Sequence, residues 1–155
     1  MPYWLMKSEP NSFSFEDLRQ APGRKTHWDG VRNYQARNFM RDDMQPGDLV
    51  LFYHSGIEVP AIVGIAEVVS KAYPDHTAFD PKDEHFDPGS DPQNPRWVMV
   101  DIRYKRQLKK PLSLAEIKSH ADRLDGLALI RRGNRLSVMP VDEAHWNYML
   151  SLESS

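Results

Sequence analysis

The amino-acid sequence predicts an α+β fold, a curved and mostly antiparallel sheet with short helices at its flanks. Apolar segments are short and rich in aromatic and β-branched residues, which is typical of strands. Helix-start signals lie between these segments without the regular strand–helix alternation of a doubly wound sheet. With 155 residues, 40% hydrophobic and 27% charged, the chain fits one globular domain over residues 1–155.

Five segments are predicted as strands from their apolar, aromatic and β-branched content: residues 3–7, 48–54, 61–70, 97–106 and 135–139. Lys109 to Pro111 should end the fourth of them. Gly64 lies inside the segment 61–70, where a glycine indicates a bulge or a tight bend.

Helices are predicted where a capping residue precedes a periodic segment. Ser14 with Asp17, and Ser113 with Glu116, have the spacing of a capping box. Asn33 should cap a helix extending to residue 41, and Asp142 should cap a C-terminal helix. Residues 122–129 are predicted to form a further short helix, and residues 23–27 a loop.

Composition excludes several classes of protein. The sequence has no cysteine, which excludes disulfides and thiolate metal sites and fits a reducing cytosol. No apolar run approaches the roughly 20 residues that cross a bilayer. The first ten residues, MPYWLMKSEP, lack the pattern of a secretory signal. We therefore expect a cytoplasmic protein without membrane contact.

Charge is distributed unevenly although the formal net charge is only -2. Residues 75–91 contain six acids against Lys82, whereas residues 96–135 contain eleven Lys or Arg against four acids. The basic half is either a phosphate-facing surface or simply a solvated face, and charge alone leaves both readings open.

A long loop is predicted over residues 74–95, with five prolines and most of these acids. Loops of this length in small domains are usually functional, so the segment is a functional loop, a mobile flap or an interaction module. Its His and Asp residues match no calcium-loop spacing, and we predict neither a metal site nor a cofactor.

The sequence has no phosphate-binding glycine loop and no nucleophile elbow, so no catalytic residue is predicted. An alternative is an enzyme or binder of free nucleosides or another small molecule, with His54 or Glu9 moving a proton. Adjacent residues on a strand point to opposite faces, which argues against His54 activating Ser55.

The segment from Trp28 to Asn38 combines two aromatic rings, three amides and two guanidinium groups within eleven residues. This mixture suits a nucleobase, because rings stack on it, amides read its edge and arginine binds phosphate. The alternative is an amphipathic helix whose aromatic residues, Trp28 and Tyr34, lie in the core.

Several long motifs resemble one known family. They are YWLMKSEP at 3–10, WDGVRNYQARN at 28–38, GDLVLFYHS at 47–55, VGIAEVV at 63–69, YPD at 73–75, WVMVD at 97–101 and RLSVMPV at 135–141. Over nearly its whole length the chain resembles the EVE family, which is similar to PUA domains and to YTH readers of methylated adenine. The resemblance implies a β-barrel-like sheet and a pocket for a modified base such as methylated cytosine.

The resemblance implies a non-enzymatic reader whose partner is DNA or RNA with a modified base, and we expect a monomer. At the ends of the matched motifs the expected ligand-binding residues are Ser8, Trp28, Asn33, Tyr34, Tyr53, His54, Ser55, Trp97, Arg135 and Ser137. Arg32 and Arg37 are expected to contact phosphates. Stacking contributes about 1 to 3 kcal/mol per base, so Trp28→Ala should weaken binding about tenfold.

Overall fold

The computed structural model describes residues 2–153, and a seven-stranded mixed sheet is its centre. The strands are β1 (Tyr3–Ser8), β2 (Lys25–Trp28), β3 (Leu49–His54), β4 (Ala61–Val68), β5 (Tyr73–Pro74), β6 (Val98–Ser113) and β7 (Val138–Val141). Their order is β2-β6-β4-β3-β1-β7, with β5 also on β6. Only β1 and β3 are parallel among these pairs. The predicted mostly antiparallel α+β fold is confirmed, although β2 and β7 leave the described sheet unclosed.

Four short α-helices flank the sheet: α1 (Phe15–Gln20), α2 (Tyr34–Asn38), α3 (Leu114–Ser119) and α4 (Glu143–Leu152). The chain continues from α2 into a π-helical turn, and 3-10 turns form over Pro22–Arg24, His76–Phe79, Ala121–Arg123 and Ala128–Ile130. Within residues 2–153 no helix has the length and apolar character to cross a bilayer.

The predicted helix starts are found at the expected residues. Ser14 and Asp17 form a reciprocal capping box, and the Asn33 side chain accepts a hydrogen bond from the Ala36 amide. Ser113 accepts from the Glu116 amide. Asp142 occupies the N-cap position of α4, but its side chain makes no capping hydrogen bond.

Three predicted elements were wrong. Residues 23–27 are not simply a loop, because Lys25–Trp28 pairs with β6 as an edge strand. Strand β6 continues past Pro111 to Ser113, since a register shift between Gln107 and Leu112 places the proline where the ladder is already interrupted. Residues 122–129 form two 3-10 turns rather than a helix, separated by Gly126 at φ +90°.

Gly64 is explained by close packing between the sheet and α1. A Cβ atom there would lie 2.1 Å from the ring of Phe15, which covers β4 at this point. Beside Gly64 the register of β4 shifts in its pairing with β3 and also in its pairing with β6, as a bulge requires. The glycine therefore lets α1 approach the sheet closely.

Candidate functional site

A cleft of about 720 Å³ opens where the C-terminal end of β1 meets β2 and the residues that follow β2. Ligand pockets typically have volumes of about 300 to 1,000 Å³, so the cleft is large enough for a nucleotide. Its lining comes from β1 and the turn after it, from residues 26–31, and from Ser137. Residues 82–85 also contribute, and they belong to the acid-rich segment 75–91, which we call the acidic loop.

The lining of the cleft contains three residues predicted from the sequence: Ser8, Trp28 and Ser137. The Ser8 hydroxyl donates to the Phe13 carbonyl, and the Lys7 amide donates to the Ser137 carbonyl at 2.8 Å. Trp28 is only 8% exposed and meets the Phe52 ring edge-on, at 5.5 Å between ring centres. Trp28 is therefore both a core residue and part of the cleft wall.

Lys7 brings a half-buried cation into the cleft. Its ammonium lies 5.7 Å from the centre of the Tyr53 ring, and no carboxylate within residues 2–153 lies within ion-pair distance. Burial lowers the pKa of Lys7, because desolvation disfavours the charged form. An anion or a carbonyl oxygen of a ligand would relieve that desolvation.

Arg32 holds the acidic loop in place, and this loop forms the wall on the side of the cleft that faces β2. Its guanidinium donates two hydrogen bonds to the His85 carbonyl, at 3.0 and 2.7 Å. It also forms an ion pair with Asp75 at 3.0 Å and donates to the Thr77 hydroxyl. The guanidinium is thereby engaged inside the protein, and the phosphate contact expected of Arg32 stays a prediction.

Asp75 is the buried anchor of this wall, with no exposed surface. Burial by itself would raise the pKa of Asp75. Hydrogen bonds from Thr77, the Gly30 amide and Arg32 outweigh it and lower the pKa below its usual range. The ionised carboxylate thus joins the start of the acidic loop to the segment that follows β2.

His85 rests directly on the backbone of Gly30. Gly30 has φ +78°, and a Cβ atom at this residue would lie 2.7 Å from the His85 ring. Only glycine combines this left-handed conformation with so close an approach. The pair sets the width of the cleft between the β2 side and the loop.

The acids of the loop mostly serve its own backbone. Five of its six carboxylates accept a hydrogen bond from the amide two residues ahead, the geometry of an Asx turn: Asp75, Asp80, Asp83, Asp87 and Asp91. Asp87 additionally accepts from the indole of Trp97 and pairs with Arg96. Turn formation therefore explains most of the loop's negative charge.

A second concavity of about 450 Å³ lies on the other part of the loop, and we name it the Tyr34 shelf. It is lined by Tyr34, Arg37, Arg41, Gly89, Asp91, Asn94, Pro95 and Arg96. Tyr34 stacks on Trp97 with 4.9 Å between ring centres. Because neither Tyr34 nor Trp97 lines the cleft, the pocket predicted around Trp28 and Tyr34 is divided between two places.

Comparison with known proteins now identifies the domain, since residues 2–152 match the EVE domain. The chain belongs to the EVE family. Chicken thymocyte nuclear protein 1 is 46% identical over an alignment of 167 positions, which covers 97% of this chain and 68% of the relative.

Solved structures agree with this assignment. Human THYN1 protein, in a complex with DNA containing 5-methylcytosine, has a TM-score of 0.96 and 43% identity, covering 100% of this chain and 99% of that one. The Mmi1 YTH domain has a TM-score of 0.54 at 14% identity, covering 99% of this chain and 88% of that one, which shows a shared fold only.

The remaining predicted residues of this EVE domain lie outside the cleft lining. Tyr53 is buried in the core, and His54 Nε2 accepts a hydrogen bond from the Phe15 amide at 3.0 Å. The Ser55 amide donates to the Ser8 carbonyl, and the Asn33 side chain caps α2. Arg135 is exposed and lines neither concavity.

Sequence reasoning missed several polar residues of the cleft, notably Lys7, His27, Asp29 and His85. Lys7 lies within the matched motif YWLMKSEP, next to Ser8, so a motif read from both strand faces would have found it. The position of His85 could not be read from the sequence, since long-range contacts of Asp75 and Arg32 bring its loop against Gly30.

Proposed function

We propose that this EVE domain is a reader of modified bases that binds DNA containing 5-methylcytosine through its cleft. The proposal rests on the similarity of this chain to human THYN1 protein in complex with such DNA. The TM-score is 0.96 over 100% of this chain. RNA as a partner, a monomeric state, one domain over residues 1–155 and a cytoplasmic location belong to the same proposal.

The chemistry of the cleft supports a cytosine ligand. Glu9 and Asp29 supply carboxylates to the lining, and a carboxylate accepts a hydrogen bond from the exocyclic amino group of cytosine. Trp28 adds an apolar wall for the ring or its methyl group. A base inside a duplex cannot reach such a cleft, so it must be unpaired or flipped out of the stack.

We propose binding rather than proton transfer. Of the two candidates for proton transfer, His54 lies outside the cleft lining and accepts from the Phe15 amide, and Glu9 in the lining is proposed as a hydrogen-bond acceptor for the cytosine amino group. Of the predicted ligand residues, Ser8, Trp28 and Ser137 are the ones we propose to contact the base.

A titration with matched single-stranded oligonucleotides tests this proposal. The probes carry 5-methylcytosine or cytosine at one position and are otherwise identical. The wild-type protein should bind the methylated probe more tightly, and Trp28→Phe should weaken that binding by less than the loss of a whole stacked ring would, because phenylalanine offers the base a smaller ring face than tryptophan. Trp28→Ala is a poorer variant, because emptying a buried tryptophan site costs about 3 to 5 kcal/mol of folding free energy.

Trp146→Phe is the matched control, since Trp146 is 4% exposed, stacks on Tyr3 and lies outside the cleft lining. It should leave the affinity for both probes unchanged. Equal affinity of the wild-type protein for methylated and unmethylated probes would refute the proposed reading of the methyl group.

A further inference from the structure

We infer that the Tyr34 shelf binds a nucleotide flanking the base held in the cleft, with the flanking base stacked on Tyr34 and its phosphate beside Arg37. This inference rests on the proposed function of the cleft. It assigns affinity to the shelf and recognition of the modification to the cleft.

Tyr34 has the geometry of a stacking platform. Tyr34 is the first residue of α2. It is 52% exposed, which is unusual for a large aromatic residue. One face of the ring rests on Trp97, at 4.9 Å between centres and 27° between planes. Trp97 is itself held by a hydrogen bond from its indole to Asp87, so the platform is supported from behind.

The outer face of the Tyr34 ring is open. The Arg37 guanidinium lies 4.8 Å from the Tyr34 ring centre and 6.0 Å from that of Trp97. If Arg37 covered the outer face, its distance from the Trp97 ring would approach the sum of the Arg37–Tyr34 and Tyr34–Trp97 distances. Arg37 therefore lies beside the stacked pair, and the outer face remains available to a base.

The charge of the shelf fits a phosphate. Arg37 donates to the Arg96 carbonyl and to the Asn38 side-chain oxygen, which are neutral acceptors. Its charge is thus held in place without an ion-pair partner within residues 2–153. Arg41 and Arg96 add two further guanidinium groups, which pair with Asp42 and Asp87, and the Asp91 carboxylate of the lining accepts from the Gln93 amide. A phosphodiester beside Arg37 would complete this arrangement.

A short chain of contacts joins the shelf to the cleft. The Arg32 guanidinium binds the carbonyl of His85, whose side chain lines the cleft, and it lies 5.5 Å from the Trp97 ring centre. Trp97 then stacks on Tyr34. The shelf and the cleft are thus joined through Arg32 and Trp97, and the inferred strand crosses these two residues.

Three probes separate the two sites: the 5-methylcytosine deoxynucleoside, and the methylated and unmethylated oligonucleotides. Tyr34→Ala should weaken binding of both oligonucleotides roughly tenfold, with their ratio unchanged, and should leave the nucleoside affinity intact. Tyr34→Phe should keep the wild-type affinity, since the ring face is preserved. Arg37→Gln should reduce the slope of log affinity against log salt by about one, because it removes the guanidinium beside the phosphate.

Arg131→Gln is the matched charge control, because Arg131 is exposed and lines neither concavity. The inference is overturned if Tyr34→Ala leaves both oligonucleotide affinities unchanged, or weakens the nucleoside equally. A wild-type protein that binds both oligonucleotides alike, yet weakens with Tyr34→Ala, would refute the function of the cleft and retain the shelf.

Discussion

The cleft and the Tyr34 shelf take residues from two parts of the same loop, but they are constructed in opposite ways. Residues 82–85 face the cleft and are fixed through Arg32, Asp75 and Gly30. Residues 89–96 face the shelf, where an exposed ring and guanidinium groups meet solvent. Buried contacts thus fix the shape of the cleft, whereas the shelf offers a ligand an exposed aromatic surface and positive charge.

This difference indicates a division of labour. Discrimination of a single methyl group requires a rigid pocket, because an apolar contact of that size contributes only about 1 to 3 kcal/mol of binding free energy. Affinity for a strand needs no such rigidity, since stacking and phosphate attraction tolerate any sequence. Variants that loosen the cleft wall should therefore lose selectivity, and variants of the shelf should lose affinity alone.

The largest effect is expected from Asp75→Ala. The substitution leaves the Gly30 amide, Thr77 and the Arg32 guanidinium without their buried acceptor. Breaking a buried ion pair in this way typically costs about 3 to 5 kcal/mol, measurable as the free energy of unfolding in urea. The loss should also appear in wild-type protein at low pH, because the lowered pKa of Asp75 stabilises the fold above the ordinary carboxyl pKa and that stability disappears as pH falls.

Asp80→Ala provides the comparison for Asp75, as the same change in the same loop. Asp80 is exposed, and its carboxylate accepts from the Lys82 amide alone. Its loss should cost less than about 1 kcal/mol, the net value of one hydrogen bond. Equal destabilisation by both variants would show that Asp75 does not anchor the wall.

Gly30→Ala should have the next largest effect and should act on selectivity. The left-handed backbone costs a non-glycine residue roughly 1 to 2 kcal/mol, and the new Cβ atom would displace the His85 ring. We expect a stability loss of that size, with a smaller affinity ratio between methylated and unmethylated probes. Gly133→Ala, at φ +79° with open space around it, carries the strain without the clash and should leave the ratio unchanged.

Local signals predicted much of the fold. The Ser14 capping box, the Asn33 cap and the strand 48–54 depend on interactions within a few residues, and each was found close to its predicted place. The polar edge strand β2 could not be predicted in the same way. Its stability comes from pairing with β6, which is more than 70 residues away along the chain.

The candidate site was less predictable for the same reason. Trp28 and Tyr34 are six residues apart in sequence, and their proximity predicted one pocket. Gly30 turns the chain between them, so that Trp28 enters the core while Tyr34 begins α2 on the surface. The acidic loop was equally misleading, because net charge does not reveal that its carboxylates cap their own turns.

Lys7→Met tests whether the cleft also contributes affinity that is independent of the methyl group. The ammonium is half-buried without a carboxylate partner within residues 2–153, and a ligand oxygen would supply one. Since hydrogen bonds to charged groups contribute about 1.5 to 3 kcal/mol, removal should weaken both oligonucleotides and the nucleoside by tenfold or more. A loss confined to the oligonucleotides would place the Lys7 contact on a phosphate instead of the base.

His54 should give the smallest effect, and it probes the contact between α1 and β3. Desolvation lowers its pKa from the ordinary value of 6.5, and neutral Nε2 accepts from the Phe15 amide. The unfolded chain then binds more protons than the folded chain as pH falls below 6.5, so stability must decline in that range. Unfolding in urea between pH 7.5 and pH 5.5 measures this slope, and His54→Gln, which still offers an acceptor, should flatten it. An unchanged slope in the variant would assign the pH dependence to other groups and leave the contact between α1 and β3 independent of proton binding.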